Sequence, residues 1–175
     1  VFTLSPIASN VLIVLGSVTA IGTSLMALAQ IDIKRTLSHS TSAYLGLVFI
    51  AVGNGHVDIA FLLLFAHAMA KALLFMSAGS IILTTSGQNI TEMGGLWSRM
   101  PATTTAFLVG SAGLVAFLPM GMFWTWLRWF NGDWQVQAWL LGVLMVVNGL
   151  NILNFTRVFR IVFLGEPQSK TRRTP

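Results

Sequence analysis

Lys71 is the residue in this chain whose position most demands a chemical explanation. It lies within the run from Asp58 to Ser80, DIAFLLLFAHAMAKALLFMSAGS, which is long and apolar enough to cross a bilayer. An ammonium at the centre of a membrane helix costs about 2.5–3.5 kcal/mol on insertion scales, so it needs a partner, a wet cavity or a task. Desolvation disfavours the charged form of a buried amine and a nearby acid restores it, which is the chemistry of a site that loads and unloads a proton. His67 lies four residues earlier, at the spacing that places two side chains on one helix face. An imidazole titrates near neutrality and can pass a proton to an amine through water. The structural alternatives are a lysine that snorkels or pairs with an acid, and a histidine satisfied within the core.

The rest of the chain reads as the frame for that face. Of 175 residues, 55% are hydrophobic and 9% charged, and mean hydropathy is +0.78. Soluble domains carry about 25% charged residues, so an all-α membrane protein is expected. There is no cysteine, which excludes a disulfide framework and thiolate metal sites. His39, His56 and His67 fall on different segments without an acid at ligand spacing, so no metal site is expected. No Gly-rich dinucleotide loop is present, and no cofactor is expected in this chain. The formal charge of +5 sits mainly at span ends, which fits membrane topology and lipid contact rather than nucleic-acid binding.

Five crossings are expected, at about 7–29, 36–52, 57–83, 102–130 and 136–162. In the first, Gly16, Ser17, Gly22, Thr23 and Ser24 suit close helix contact in lipid. A polar hinge, Gln30 to Arg35, leads to the second, whose first turns are rich in hydroxyls around His39. Asn54-Gly55 signals a turn. Asp58 falls in the first turn of the third span, where the helix dipole favours negative charge. Pro101 suits the start of the fourth. Pro119 and Gly121 interrupt that span, which predicts a broken helix of the kind tolerated beside protein or a wet cavity. Trp124, Trp126, Trp129 and Trp134 read as an interfacial aromatic belt. Lys34, Arg35, Arg99, Arg157, Arg160, Lys170, Arg172 and Arg173 fall on one side and Arg128 on the other, so the C-terminus is expected on the cytoplasmic side. Residues 1–165 are expected to form the membrane repeat and 166–175 a basic tail leading into a longer segment. Val1 stands where a methionine would start a chain, and no signal peptide is recognised; the chain is expected to be a piece of a longer protein.

No acid lies in mid-span: Asp32, Asp58, Glu92, Asp133 and Glu166 fall at ends or in loops. A carboxylate for Lys71 would have to come from elsewhere. Asn89-Ile90-Thr91 matches a glycosylation acceptor but falls on the expected cytoplasmic side.

Several strings together resemble one family. DIKRTLSHST with YLGLVFIAVG, HAMAKALLFMSAGSII, NITEMGGLWSRMP and the RVFR end of the last span are similar to the antiporter-like subunits of respiratory complex I. The nearest resemblance is to the subunit 5 group of cyanobacterial and chloroplast type-I NAD(P)H dehydrogenases; SHSTSAYLGLVFIAVG and GGLWSRMPATTTAFLVGSAG resemble the variant in CO2-uptake complexes. The resemblance implies the second of two inverted repeats of a thylakoid proton-translocating subunit in a plastoquinone-reducing complex. It implies other membrane-arm subunits and a peripheral CO2-hydrating protein as partners. It also implies Lys71 as the central relay lysine, His67 as its neighbouring donor and Lys34 as the hinge lysine. The family has a lysine followed by two acids in its broken helix, where this chain has Trp126, Leu127 and Arg128. Thr125, Arg128 and His39 are the candidates for a replacement outlet. A second histidine one turn before His67 is common in the family; Leu63 stands there. The competing expectation is a scaffold that anchors the distal arm without pumping.

Overall fold

The computed structural model describes residues 5–116, 121–131 and 138–167. Among them the chain is helical: α1 Pro6–Ala29, α2 Ile33–Gly53, α3 Val57–Thr85, α4 Leu96–Arg99, α5 Pro101–Leu114, α6 Gly121–Asn131 and α7 Ala138–Phe159. Four helical stretches are long and apolar enough to span a membrane, namely α1, α2, α3 and the run Trp139–Leu164. The fourth crossing, expected to be broken, is made of two shorter helices, of 14 and 11 residues. Val115 and Ala116 already leave the helix, and Ala116 takes a left-handed φ of 56°, a conformation uncommon for a residue with a Cβ. Pro119 lies outside the described residues, as do Asp133, Trp134 and the tail from 168 on.

Local chemistry sets the ends. Asp32 caps α2 by accepting the backbone N–H groups of Lys34 and Arg35 at 2.8 and 3.0 Å, so the second helix starts three residues before the expected Thr36. A carboxylate N-cap satisfies two of the orphan donors of the first turn. Gly55, at φ 79°, makes the turn into α3. The hinge before α2 is fastened to the connector after α3 by backbone bonds from Ile33 to Gln88 and from Ile90 to Ile31. Asn89 is occupied within that connector, where it bonds Thr91 and Glu92.

Packing follows the small residues. A Cβ on Gly16 would meet the Gly46 carbonyl at 2.6 Å, and one on Gly46 would meet Gly16 at the same distance. The α1–α2 crossing is therefore a backbone-to-backbone approach that only glycine permits. Ser17 and Ser24 are buried on the same side of α1, whereas Gly22 has no neighbour within 4 Å of its Cβ position. On α3, Ile59, Leu63, His67, Lys71, Leu74 and Ile81 are buried. Phe61, Phe65, Met69, Met76 and Leu83 are exposed, a face suited to lipid or to further membrane helices. Gly110 of α5 lies against Leu74 and the Ala70 carbonyl, which brings the broken span alongside the centre of α3.

Candidate functional site

Lys71 is the central residue of α3 and is 6% exposed. Its Nζ donates to the Leu37 carbonyl of α2 at 2.7 Å and to the Ser40 hydroxyl. The ring of Phe155, from α7, lies 5.7 Å from the same nitrogen, within the range of cation–π attraction. The Leu37 carbonyl also accepts from the hydroxyls of Ser40 and Thr41, each at 3.0 Å. The hydroxyl-rich start of α2 thus supplies a neutral polar lining for the amine. No carboxylate reaches it among the described residues, where the ion pair present is Arg128–Asp58.

His67 is 7% exposed, one turn from Lys71, and its ring centroid lies 5.0 Å from that of Tyr44. Neither ring nitrogen has a protein partner among the described residues. The Tyr44 hydroxyl donates to the Leu114 carbonyl, the last residue of α5. Carbonyls at a helix end lack intrahelical donors, so Tyr44 caps the break and links it to the His67–Lys71 face. The structure accordingly brings together Lys71, His67, Ser40, Tyr44 and the end of α5 at the break.

The other candidates are spread over α2 and α6. Lys34 is exposed in the first turn of α2. His39 is half-buried, about 100° round the helix from Ser40. Thr125 is 3% exposed and lines an apolar cavity of about 570 Å³ with Ala66, Ala70, Gly110 and Gly113. Arg128 is at the outer end of the same cavity and bonds Asp58 through Nε and a terminal nitrogen at 3.2 and 3.1 Å. Asp58 is thirteen residues from Lys71 on one helix, about 20 Å along its axis, so Arg128 does not adjoin the amine. The belt reading of the tryptophans is corrected: Trp126 and Trp129 are buried at 6% and 3%. Trp126 packs its ring against Trp129 and Phe130, and neither indole N–H has a partner among the described residues. Trp124 is exposed, and Trp134 lies outside the described residues. No group of three His, Asp or Glu side chains converges among the described residues.

Sequence reasoning passed over a second set of buried polar groups, on α7. Asn151 donates to Ser24 of α1 at 3.4 Å and to its own Val147 carbonyl. Asn154 is fully buried, with neither amide atom partnered among the described residues. Arg157 donates to the hinge carbonyl of Gln30 at 2.6 Å. The signal was present as a repeat of polar residues every third position, Asn148, Asn151, Asn154 and Arg157, in an otherwise apolar span.

A family profile described as NADH:quinone oxidoreductase/Mrp antiporter, TM, matches residues 1–151. The chain is 53% identical over 169 residues to NAD(P)H-quinone oxidoreductase subunit 5, organellar chromatophore 2, of Paulinella chromatophora, covering 97% of this chain and 27% of the relative. It is 35% identical over 173 residues to the chloroplastic subunit 5 of Citrus sinensis, covering 94% and 23%. To NADH-quinone oxidoreductase subunit L of Pseudomonas aeruginosa it is 36% identical over 177 residues, covering 97% and 28%. The chain thus spans about a quarter of the length of these curated relatives. A solved archaeal respiratory membrane complex, the membrane-bound sulfane sulfur reductase, contains a chain that superposes with a TM-score of 0.85 at 23% identity, over 95% of this chain and 35% of that one. That likeness concerns the fold.

Proposed function

For a chain that belongs to the NADH:quinone oxidoreductase/Mrp antiporter transmembrane family, we propose the role of a proton-translocating membrane-arm subunit. The complex would be an NAD(P)H- or ferredoxin-plastoquinone oxidoreductase of the thylakoid membrane, in the form that supports CO2 uptake. Lys71 is the proton carrier of this segment, and His67 exchanges protons with it through water. Lys34 serves at the hinge. Thr125, Arg128 and His39 are the candidates for the outlet. Electron donor, cluster and quinone sites belong to other subunits, and a CO2-hydrating protein docks on the distal arm.

The observation that carries this reading is the pairing of a buried amine with neutral partners. An acid beside Lys71 would hold it as an ammonium. A carbonyl and a hydroxyl stabilise the ammonium through hydrogen bonds yet leave no stranded charge when the proton departs. Ser40 can accept from the ammonium or, after rotation, donate to the free amine. The face can therefore bind Lys71 in both protonation states.

One feature favours the alternative of a non-pumping scaffold. Trp126 occupies the place where the family resemblance puts a lysine, buried against Trp129 and Phe130. The two readings separate on Lys71→Ala in the full complex. Loss of coupled plastoquinone reduction and CO2 uptake, with assembly intact on native gels, supports the relay. Unchanged activity leaves the scaffold.

A further inference from the structure

The end of α7 nearest the hinge carries charge that the relay reading of Lys71 leaves unused. Leu153, Arg157, Arg160 and Leu164 recur at spacings of four, three and four, which puts them on one side of the helix. The last of these turns, Arg160–Leu164, is wound as a π-helix, a form that recurs at functional sites. All four line a cavity of about 730 Å³, shared with Thr91 and Met93 of the connector. The connector is fixed there by close backbone contact, since a Cβ on Gly94 would run into the Glu166 carbonyl. Arg157 is held at the hinge by the Gln30 carbonyl at 2.6 Å. One terminal nitrogen makes that bond, out of the five N–H donors of a guanidinium. Arg160 is exposed. Leu153 and Leu164 are both 60% exposed, and Leu153 lies about 6 Å further into the span than Arg157. Glu166 is the acid among the walls and offsets one cation, but the sequence that follows adds Lys170, Arg172 and Arg173.

Two guanidiniums at the end of a membrane span, beside exposed leucines, match a molecule that carries an oxyanion on an apolar tail. Basic pockets between membrane helices hold anionic headgroups in this way, and the arginine fork suits phosphate-type oxygens better than a lysine does. We propose that the cavity is the seat of an anionic lipid of the hinge-side leaflet. Arg157 and Arg160 bond its phosphate or sulfonate oxygens, Thr91 and Thr156 offer hydroxyls, and an acyl chain runs along Leu153 towards the bilayer interior. A soluble oxyanion would use the arginines and leave the leucines bare, so the lipid is the better match. Bound there, it touches α7 and the connector at once and, through Arg157, braces the hinge. The site goes beyond the relay and stands whether or not Lys71 carries protons.

The complete complex is placed in nanodiscs of phosphatidylcholine with a trace of photoactivatable lipid, either phosphatidylglycerol or phosphatidylcholine, bearing a diazirine on one acyl chain. After illumination, cross-links near Leu153 and Leu164 are mapped and quantified by mass. The site requires phosphatidylglycerol to cross-link there in preference to phosphatidylcholine. Arg160→Gln should lower that preference about fivefold, the effect of one arginine at an anionic lipid. Equal labelling by the two lipids would mean an ordinary boundary lipid and overturn the proposal, as would a preference untouched by Arg160→Gln. No labelling by either lipid would mean that protein covers the cavity, and would overturn it too. Loss of the preference on adding inorganic phosphate would overturn it in favour of a small soluble anion. If Arg160→Gln fails to assemble, Leu153→Trp, at an exposed position, decides. It fills the apolar part of the seat and should lower the same preference, whereas an unchanged preference would overturn the proposal.

Discussion

The two sides of Lys71 are built from opposite materials. Towards the hinge stand hydroxyls, an amide and a guanidinium: Thr36, Ser40, Asn154 and Arg157. Towards the other end, α6 brings Trp126, Trp129 and Phe130 into ring contact, and beyond them Arg128 and Asp58 pair at side-chain exposures of 64% and 55%. Both halves contain groups without partners among the described residues, but they differ in what such a group can do. An amide or hydroxyl can anchor a chain of waters as both donor and acceptor; an indole only donates. The same amine thus faces a side suited to proton exchange and a side filled with aromatic bulk. A symmetrical path through the repeat is not what these residues build.

That contrast can be broken from either side, and the effects should fall in a set order. Ser40→Ala removes one of the two hydrogen bonds that hold the Lys71 ammonium. Bonds to charged groups are worth about 1.5–3 kcal/mol, so a clear drop in the thermal stability of the assembled complex is expected. A drop no larger than that of an exposed serine control would mean that the hinge side does not support the charge. Tyr44→Phe comes next. It leaves the buried Leu114 carbonyl at the break without its donor, at a cost of about 1–2 kcal/mol, read as a smaller loss in the same melting assay. The least effect is expected from Asp58→Asn. An exposed ion pair contributes about 0–1 kcal/mol and is screened by salt. Equal melting of this variant and the parent at high salt fits that ranking, whereas a loss as large as that of Ser40→Ala would reverse the comparison.

Lys71 and His67 were legible in the sequence because one charge in a long apolar run must be explained, and a spacing of four fixes their shared face. The broken span was legible from backbone chemistry, since proline and glycine interrupt helices whatever surrounds them. What received the amine was not legible. The Leu37 carbonyl and the Ser40 hydroxyl lie more than thirty residues away, and only the α2–α3 packing brings them to Lys71. The tryptophans were misread because indoles suit both an interface and a core, and composition does not tell which way a helix turns. The polar line on α7 was readable in principle. Three asparagines and an arginine at three-residue spacing in an apolar helix are an internal polar stripe, but asparagine carries no charge and drew less notice than lysine.

In the proposed role the Lys71 amine carries protons while electrons move elsewhere in the assembly. The most direct measurement is the number of protons translocated per electron pair by the complete complex carrying Lys71→Met, in sealed vesicles, against the parent complex at matched plastoquinone reduction. A lower ratio is expected, with assembly and electron transfer retained in the presence of an uncoupler. An unchanged ratio would contradict the relay and leave this segment as architecture.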